Sequence, residues 1–87
     1  MEIIYLPKAD EDLEFWIKSG NKKNLKRIAL LTAAIEENPV KGLGKPEPLK
    51  FDLFGKWSRR ISQEHRFIYS FIEDTIFVYS LRGHYKK

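Results

Sequence analysis

The sequence predicts an α+β fold in which two helices pack on one face of a mainly antiparallel sheet, in the order β-α-α-β-β-β-β. Three features carry this expectation: helical periodicity over residues 7–37, a Pro/Gly-rich break over 38–48, and period-two alternation from there onward. The 87 residues are too few to divide their buried surface between two cores, so 1–87 is expected to form one domain.

Residues 2–6, EIIYL, read as the first strand. Pro7 stops it and also suits the first turn of a helix. Ala9, Leu13, Trp16 and Ile17 then form an apolar stripe at helical spacing, while Asp10, Glu11 and Asp12 sit near the positive end of the helix dipole. Gly20 and Asn21 break the pattern. A second helix is expected from Asn21, a suitable cap, to about Glu37, with Leu25, Ile28, Ala29, Thr32 and Ile35 on its apolar side. The segment NPVKGLGKPEP holds three prolines and two glycines in eleven residues, which excludes a helix or a central strand and marks a loop long enough to carry a site. Strands are expected at about 49–54, 57–62, 65–72 and 75–82, with turns near Gly55, at Gln63 and Glu64, and at Glu73 and Asp74. With both helices on one face, the other is left for a substrate or partner.

The absence of cysteine excludes disulfide scaffolds, thiolate zinc sites and a cysteine nucleophile. The opening MEIIYLPKADED has too short an apolar run for a signal segment and is followed by acids, so neither export nor a membrane span is expected, and the expected location is cytoplasmic. The net charge of +4 is uneven: residues 1–40 carry six basic and seven acidic side chains, residues 41–87 ten and five. A basic C-terminal half favours a polyanionic partner, because neutralised phosphates release counterions.

A two-residue turn at Gln63 and Glu64 would pair Arg66 with Ile61 and Arg59 with Ile68. A second at Glu73 and Asp74 would set Arg66 opposite Leu81, at the sheet end from which Arg82, Gly83, His84 and Tyr85 emerge. Arg59 and Arg66 would then share a face as a guanidinium patch, an arrangement that a one-residue slip reverses. Cleavage of RNA by its own 2′-hydroxyl needs a base at that hydroxyl, a cation over the pentacovalent phosphate and an acid at the 5′-oxygen. Glu47, Arg66 and His84 meet these needs, with Lys50, Arg59 and Arg82 adding positive field. Two histidines without metal-ligand spacing give no reason to expect a metal or a cofactor. Each residue also has an ordinary reading. Glu47 as a solvated loop acid, Arg66 paired with Glu64 or Glu47, and His84 as an idle chain end all fit the same sequence. Trp57, Phe67, Tyr69, Phe71, Phe77 and Tyr79 read as core or sheet-face residues, and His65, of opposite parity to Arg66, as the start of a strand.

Together GKPEPLK at 44–50, WSRRI at 57–61, EHR at 64–66 with Tyr69, and R-x-H-Y at 82–85 resemble the YoeB/Txe family of toxins within the RelE/ParE superfamily. The resemblance spans essentially the whole chain. It implies a microbial-RNase-like (RelE-like) fold and an endoribonuclease that enters the aminoacyl site of a translating 70S ribosome and cuts the mRNA codon there. It also implies a cognate YefM/Axe-like antitoxin and, in many members, homodimerisation. Carried over by position, Glu47 becomes the general base, Arg66 the phosphate-binding arginine, His84 the general acid and Tyr85 the residue that orients or stacks on the substrate nucleotide. Lys50 and Arg59 match positions of RNA contact. The visible departure is the Lys86-Lys87 extension after Tyr85. Two other classes stay open at this point: a non-cleaving toxin of the same fold that binds a protein such as DNA gyrase, and a plain RNA-binding domain.

Overall fold

The computed structural model describes residues 1–83. Its elements are β1 (Glu2–Tyr5), α1 (Pro7–Ser19), α2 (Lys22–Glu37), β2 (Glu47–Pro48), a 3-10 turn (Phe51–Leu53), β3 (Trp57–Arg60), β4 (Arg66–Ile72) and β5 (Thr75–Ser80). The five strands form one sheet in the order β1-β5-β4-β3-β2. β1 joins β5 in parallel and every other pairing is antiparallel, so the sheet is mixed and mainly antiparallel, with two helices on one face as expected.

Local chemistry sets the helix ends. Pro7 opens α1, and Gly20 closes it in the left-handed region at φ 70° with its N–H returned to the Ile17 carbonyl. The Asn21 side chain accepts the Asn24 N–H at 3.0 Å and caps α2. The buried stripe of α2 is Asn24, Ile28, Leu31 and Ile35, at spacings of four, three and four. The expected stripe held Ile28 and Ile35 but missed Leu31, which is fully buried, and included Ala29, which is exposed. On α1, Ala9 and Trp16 are buried and Leu13 is partly buried, whereas Ile17 points to solvent. These side chains meet Phe67, Tyr69, Ile76 and Val78 from the sheet, with Ile61 and Leu81 at the strand ends.

Three sequence expectations are corrected. The strand expected over 49–54 is absent: the edge strand is Glu47–Pro48, inside the expected loop, and the chain then turns at Phe51–Leu53. Phe51 at φ 57° and Gly55 at φ 93° leave the extended region, and a proline is tolerated in β2 because that strand is an edge. The second correction is register. β3 pairs Arg60 with Arg66 and Arg59 with Phe67, one residue away from the expected pairing of Arg66 with Ile61. The connection is not a two-residue hairpin. The N–H groups of both Ile61 and Ser62 share the His65 carbonyl at 3.0 and 3.2 Å, and Ser62 Oγ accepts the N–H groups of Glu64 and His65 at 3.2 Å each. The third correction lies between β4 and β5, where an irregularity at Ile68/Tyr69 places Ile68 opposite Ser80 and carries Arg66 past Leu81, so that its N–H bonds the Gly83 carbonyl at 3.0 Å.

Candidate active site

Side chains alternate across the pleat, so the register sorts them between the two faces. Trp57, Arg59, Phe67, Tyr69, Ile76 and Val78 lie on the helix side, and Glu47, Ser58, Arg60, Arg66, Ile68, Ser70 and Tyr79 on the second face. One row crosses three strands of that face, Glu47 to Ser58 to Ile68, and the irregularity at Ile68/Tyr69 ends it there: Ser80 turns to the helix side, where its Oγ meets Asp12 Oδ2 at 3.3 Å and Lys8 Nζ at 3.1 Å. Arg60 and Arg66, directly opposite each other, form the next row. Glu47 and Arg66 therefore share a face, two strands and two residues apart, which sets their backbones roughly 12 Å from one another. Long side chains can close on one substrate phosphodiester across that span.

Arg66 is half-buried and anchored by one end. Its Nη1 donates to the carbonyls of Ser62 at 2.7 Å, Gln63 at 3.1 Å and His65 at 3.2 Å, which fixes the plane of the guanidinium against the β3–β4 loop. The partners expected from sequence, Glu64 or Glu47, are replaced in these contacts by backbone oxygens. Glu47 is exposed on the edge strand, between Pro46 and Pro48, whose missing N–H groups and fixed φ limit the local conformations. Lys50 is exposed three residues further on, at the entry to the 3-10 turn. Lys56 Nζ sits 4.3 Å above the Tyr79 ring, and the Tyr79 hydroxyl meets Ser70 Oγ at 2.8 Å, extending the polar character of the second face.

Arg59 is corrected from a surface cation to an interior one. The one-residue register shift turns it to the helix side, where it is fully buried. Its Nε donates to the Tyr69 hydroxyl at 3.1 Å, Nη1 to the Leu43 carbonyl at 3.1 Å, and Nη2 to the carbonyls of Lys41 at 3.0 Å and Asn38. Three of these oxygens follow the C-terminus of α2, where the helix dipole favours a cation. The Tyr69 hydroxyl in turn donates to the Pro39 carbonyl, and burial raises its pKa while the Arg59 hydrogen bond and charge oppose the shift. Arg59 thus organises the 38–44 loop from inside and offers no surface to RNA. Arg82 is exposed, but its guanidinium stacks 3.8 Å from the Phe15 ring of α1, away from Glu47.

The sheet end is tied to α1. Buried Asp12 accepts the Leu81 N–H at 3.0 Å and the Lys8 ammonium at 2.7 Å, and Trp16 Nε1 donates to the Leu81 carbonyl at 2.9 Å. Gly83 follows, its N–H donated to His65 Nδ1 at 2.9 Å and its carbonyl held by Arg66. His84 and Tyr85 lie outside the described residues. Sequence reasoning missed Arg60 as the second guanidinium of the face and read His65 only as the start of a strand. Only the true register exposes the first and only the fold the second.

A family model described as "YoeB-like toxin of bacterial type II toxin-antitoxin system" matches residues 5–85. Toxin YoeB of Synechocystis sp. is 49% identical over 72 residues, covering 83% of this chain and 84% of that protein. Among solved structures, a YoeB/ParE toxin from Agrobacterium tumefaciens superposes with a TM-score of 0.93 at 38% identity, over 98% of this chain and 100% of that one. Staphylococcus aureus YoeB, solved as a dimer and in complex with YefM, gives TM-scores of 0.89 and 0.88 at 38% and 40% identity, with 98% of each chain covered. With the matching model spanning nearly the whole length and the fold superposing over 98% of the chain, the chain belongs to the family of YoeB-like toxins of bacterial type II toxin–antitoxin systems.

Proposed function

We propose that the protein is a ribosome-dependent endoribonuclease that cuts mRNA in the aminoacyl site by metal-independent acid–base catalysis, and that a YefM-like antitoxin neutralises it. The observation that carries this reading is the shared sheet face of Glu47 and Arg66, with Gly83, the residue before His84, hydrogen-bonded to the Arg66 backbone. In this reading Glu47 takes the proton of the 2′-hydroxyl, whose oxygen attacks the adjacent phosphorus. Arg66, its plane set by the loop carbonyls, directs N–H donors at the equatorial oxygens as charge develops there. Arg60, directly across from it, adds a second positive charge close to the same phosphate. His84 protonates the departing 5′-oxygen, leaving a 2′,3′-cyclic phosphate, and Tyr85 orients the nucleotide. Lys50 supplies a phosphate contact at the rim. A homodimer, as solved for the S. aureus relative, is compatible with this chain's fold.

Induction in a bacterial host followed by primer-extension mapping of transcripts tests the proposal. Growth arrest with cuts inside translated codons, relieved by co-expression of the antitoxin, is the expected result. Arrest without cuts, as a toxin acting on a protein target would give, contradicts it.

A further inference from the structure

His65 reads in sequence as no more than the start of a strand, yet its ring joins α1 to the last residue before the proposed acid. Nδ1 accepts the Gly83 N–H at 2.9 Å, which requires that nitrogen to be unprotonated and leaves the ring proton on Nε2. The ring itself stands edge-on to Trp16, with centroids 4.8 Å apart and planes at 78°. Trp16 is buried and donates through Nε1 to the Leu81 carbonyl, so one indole braces both His65 and the strand end two residues before Gly83. The His65 backbone is equally constrained: its carbonyl receives two N–H groups and its own N–H meets Ser62 Oγ.

We propose that His65 is a positioning residue for the reaction, holding the Gly83 amide so that the terminal segment leaves the sheet at a fixed point and presents the acid at residue 84 to the leaving oxygen. The inference rests on the RNA-cleavage reading above. The physical need is plain, because a chain end frays unless it is tied down. Displacement of a reacting group by about 1 Å can cost on the order of 10²-fold in rate. Gly83 takes φ +91°, a backbone conformation that favours glycine, and both of its backbone polar groups are held, the N–H by His65 and the carbonyl by the Arg66 N–H.

The test uses saturating protein on programmed ribosomes in single-turnover cleavage, with ordinary mRNA and mRNA carrying sulfur at the scissile 5′-position. His65→Phe keeps a ring against Trp16 and removes the acceptor, whereas His65→Asn offers Oδ1 in its place. His65→Phe is expected to cut ordinary mRNA about 10- to 100-fold more slowly with ribosome affinity within about twofold of the parent, and His65→Asn to recover most of the rate. Sulfur should erase most of the His65→Phe deficit, because a thiolate leaves without an acid. The double variant His65→Phe/His84→Gln should be no slower than His84→Gln alone, since two residues acting through one group are not additive. Parental rates for His65→Phe, a deficit that persists with sulfur, or losses that multiply in the double variant would each overturn the proposal. His84→Gln alone reports on the acid assignment. If sulfur fails to rescue it, that assignment falls, and non-additivity in the double variant still decides whether His65 acts through residue 84.

Discussion

Arg59 and Arg66 sit in one hairpin and face opposite sides of the same sheet. Arg59 is structural. Its replacement by Ala leaves the Tyr69 hydroxyl and three loop carbonyls without their donor, so a loss of at least about 3 kcal/mol is expected, read as a lower midpoint in urea unfolding. Tyr69 gives the same cluster an alkaline limit. Its folded pKa lies above the unfolded value of about 10, so its contribution is complete below pH ~10 and is lost as pH rises from there through the folded value. Stability should therefore fall above pH ~10 in the parent and fall less steeply in Tyr69→Phe, measured as Tm against pH. Arg66→Lys keeps the charge and loses the planar fork held on the loop carbonyls. It should slow the cleavage step while leaving the protein folded and bound to ribosomes. Lys50→Ala removes an exposed cation beside Glu47 and should lower the salt slope of ribosome association by about 0.7 to 0.9, checked by sedimentation across a salt series.

The β3–β4 connection shows where local sequence stops being informative. Gln63 and Glu64 look like a two-residue turn, and the alternation on either side accepts either register. The choice is made by Ser62 Oγ and the shared His65 carbonyl, which close the loop locally, and by the interior demand for Arg59, whose partners lie far away in sequence. A shift of one residue moved Arg59 into the core and set Arg60 beside Arg66. The 38–48 segment was legible as a loop from its prolines and glycines. Its two-residue edge strand was hidden by those same prolines, and the following 3-10 turn by the apolar FDLF. Within the loop, Gly44 is the tightest point: at φ +91°, a Cβ there would lie 2.7 Å from Leu31 Cδ2 and 3.3 Å from the Arg60 backbone nitrogen. Gly55, at φ +93°, has nothing within 4 Å. Gly44→Ala should thus cost more than Gly55→Ala, which bears only the left-handed penalty of about 1 to 2 kcal/mol, a ranking that denaturant midpoints resolve directly.

At the scale of the whole molecule, the helix face and the second face divide the work. The helix face takes the hydrophobic core and the buried guanidinium, so the second face can carry Glu47, Arg60 and Arg66 on a rigid sheet. The element order, the paired helices and the basic C-terminal half were readable from periodicity and charge; Glu47 and Arg66 were candidates on chemical grounds, and the sheet sets them on one face. The parallel docking of β1 on β5 and the tether from Trp16 through His65 to Gly83 join residues distant in sequence, so no local pattern marks them. In the proposed reaction the substrate's own 2′-hydroxyl is the nucleophile and Glu47 its base. The most direct measurement is single-turnover cleavage on programmed ribosomes carrying either ordinary mRNA or mRNA with one 2′-deoxy nucleotide at the scissile position. The expected result is a 2′,3′-cyclic phosphate from ordinary mRNA, cleavage slowed by about 10²-fold or more in Glu47→Gln, and no cut in the deoxy mRNA by either protein. Cleavage of the deoxy mRNA at the parental rate, or a Glu47→Gln variant as fast as the parent, would contradict it.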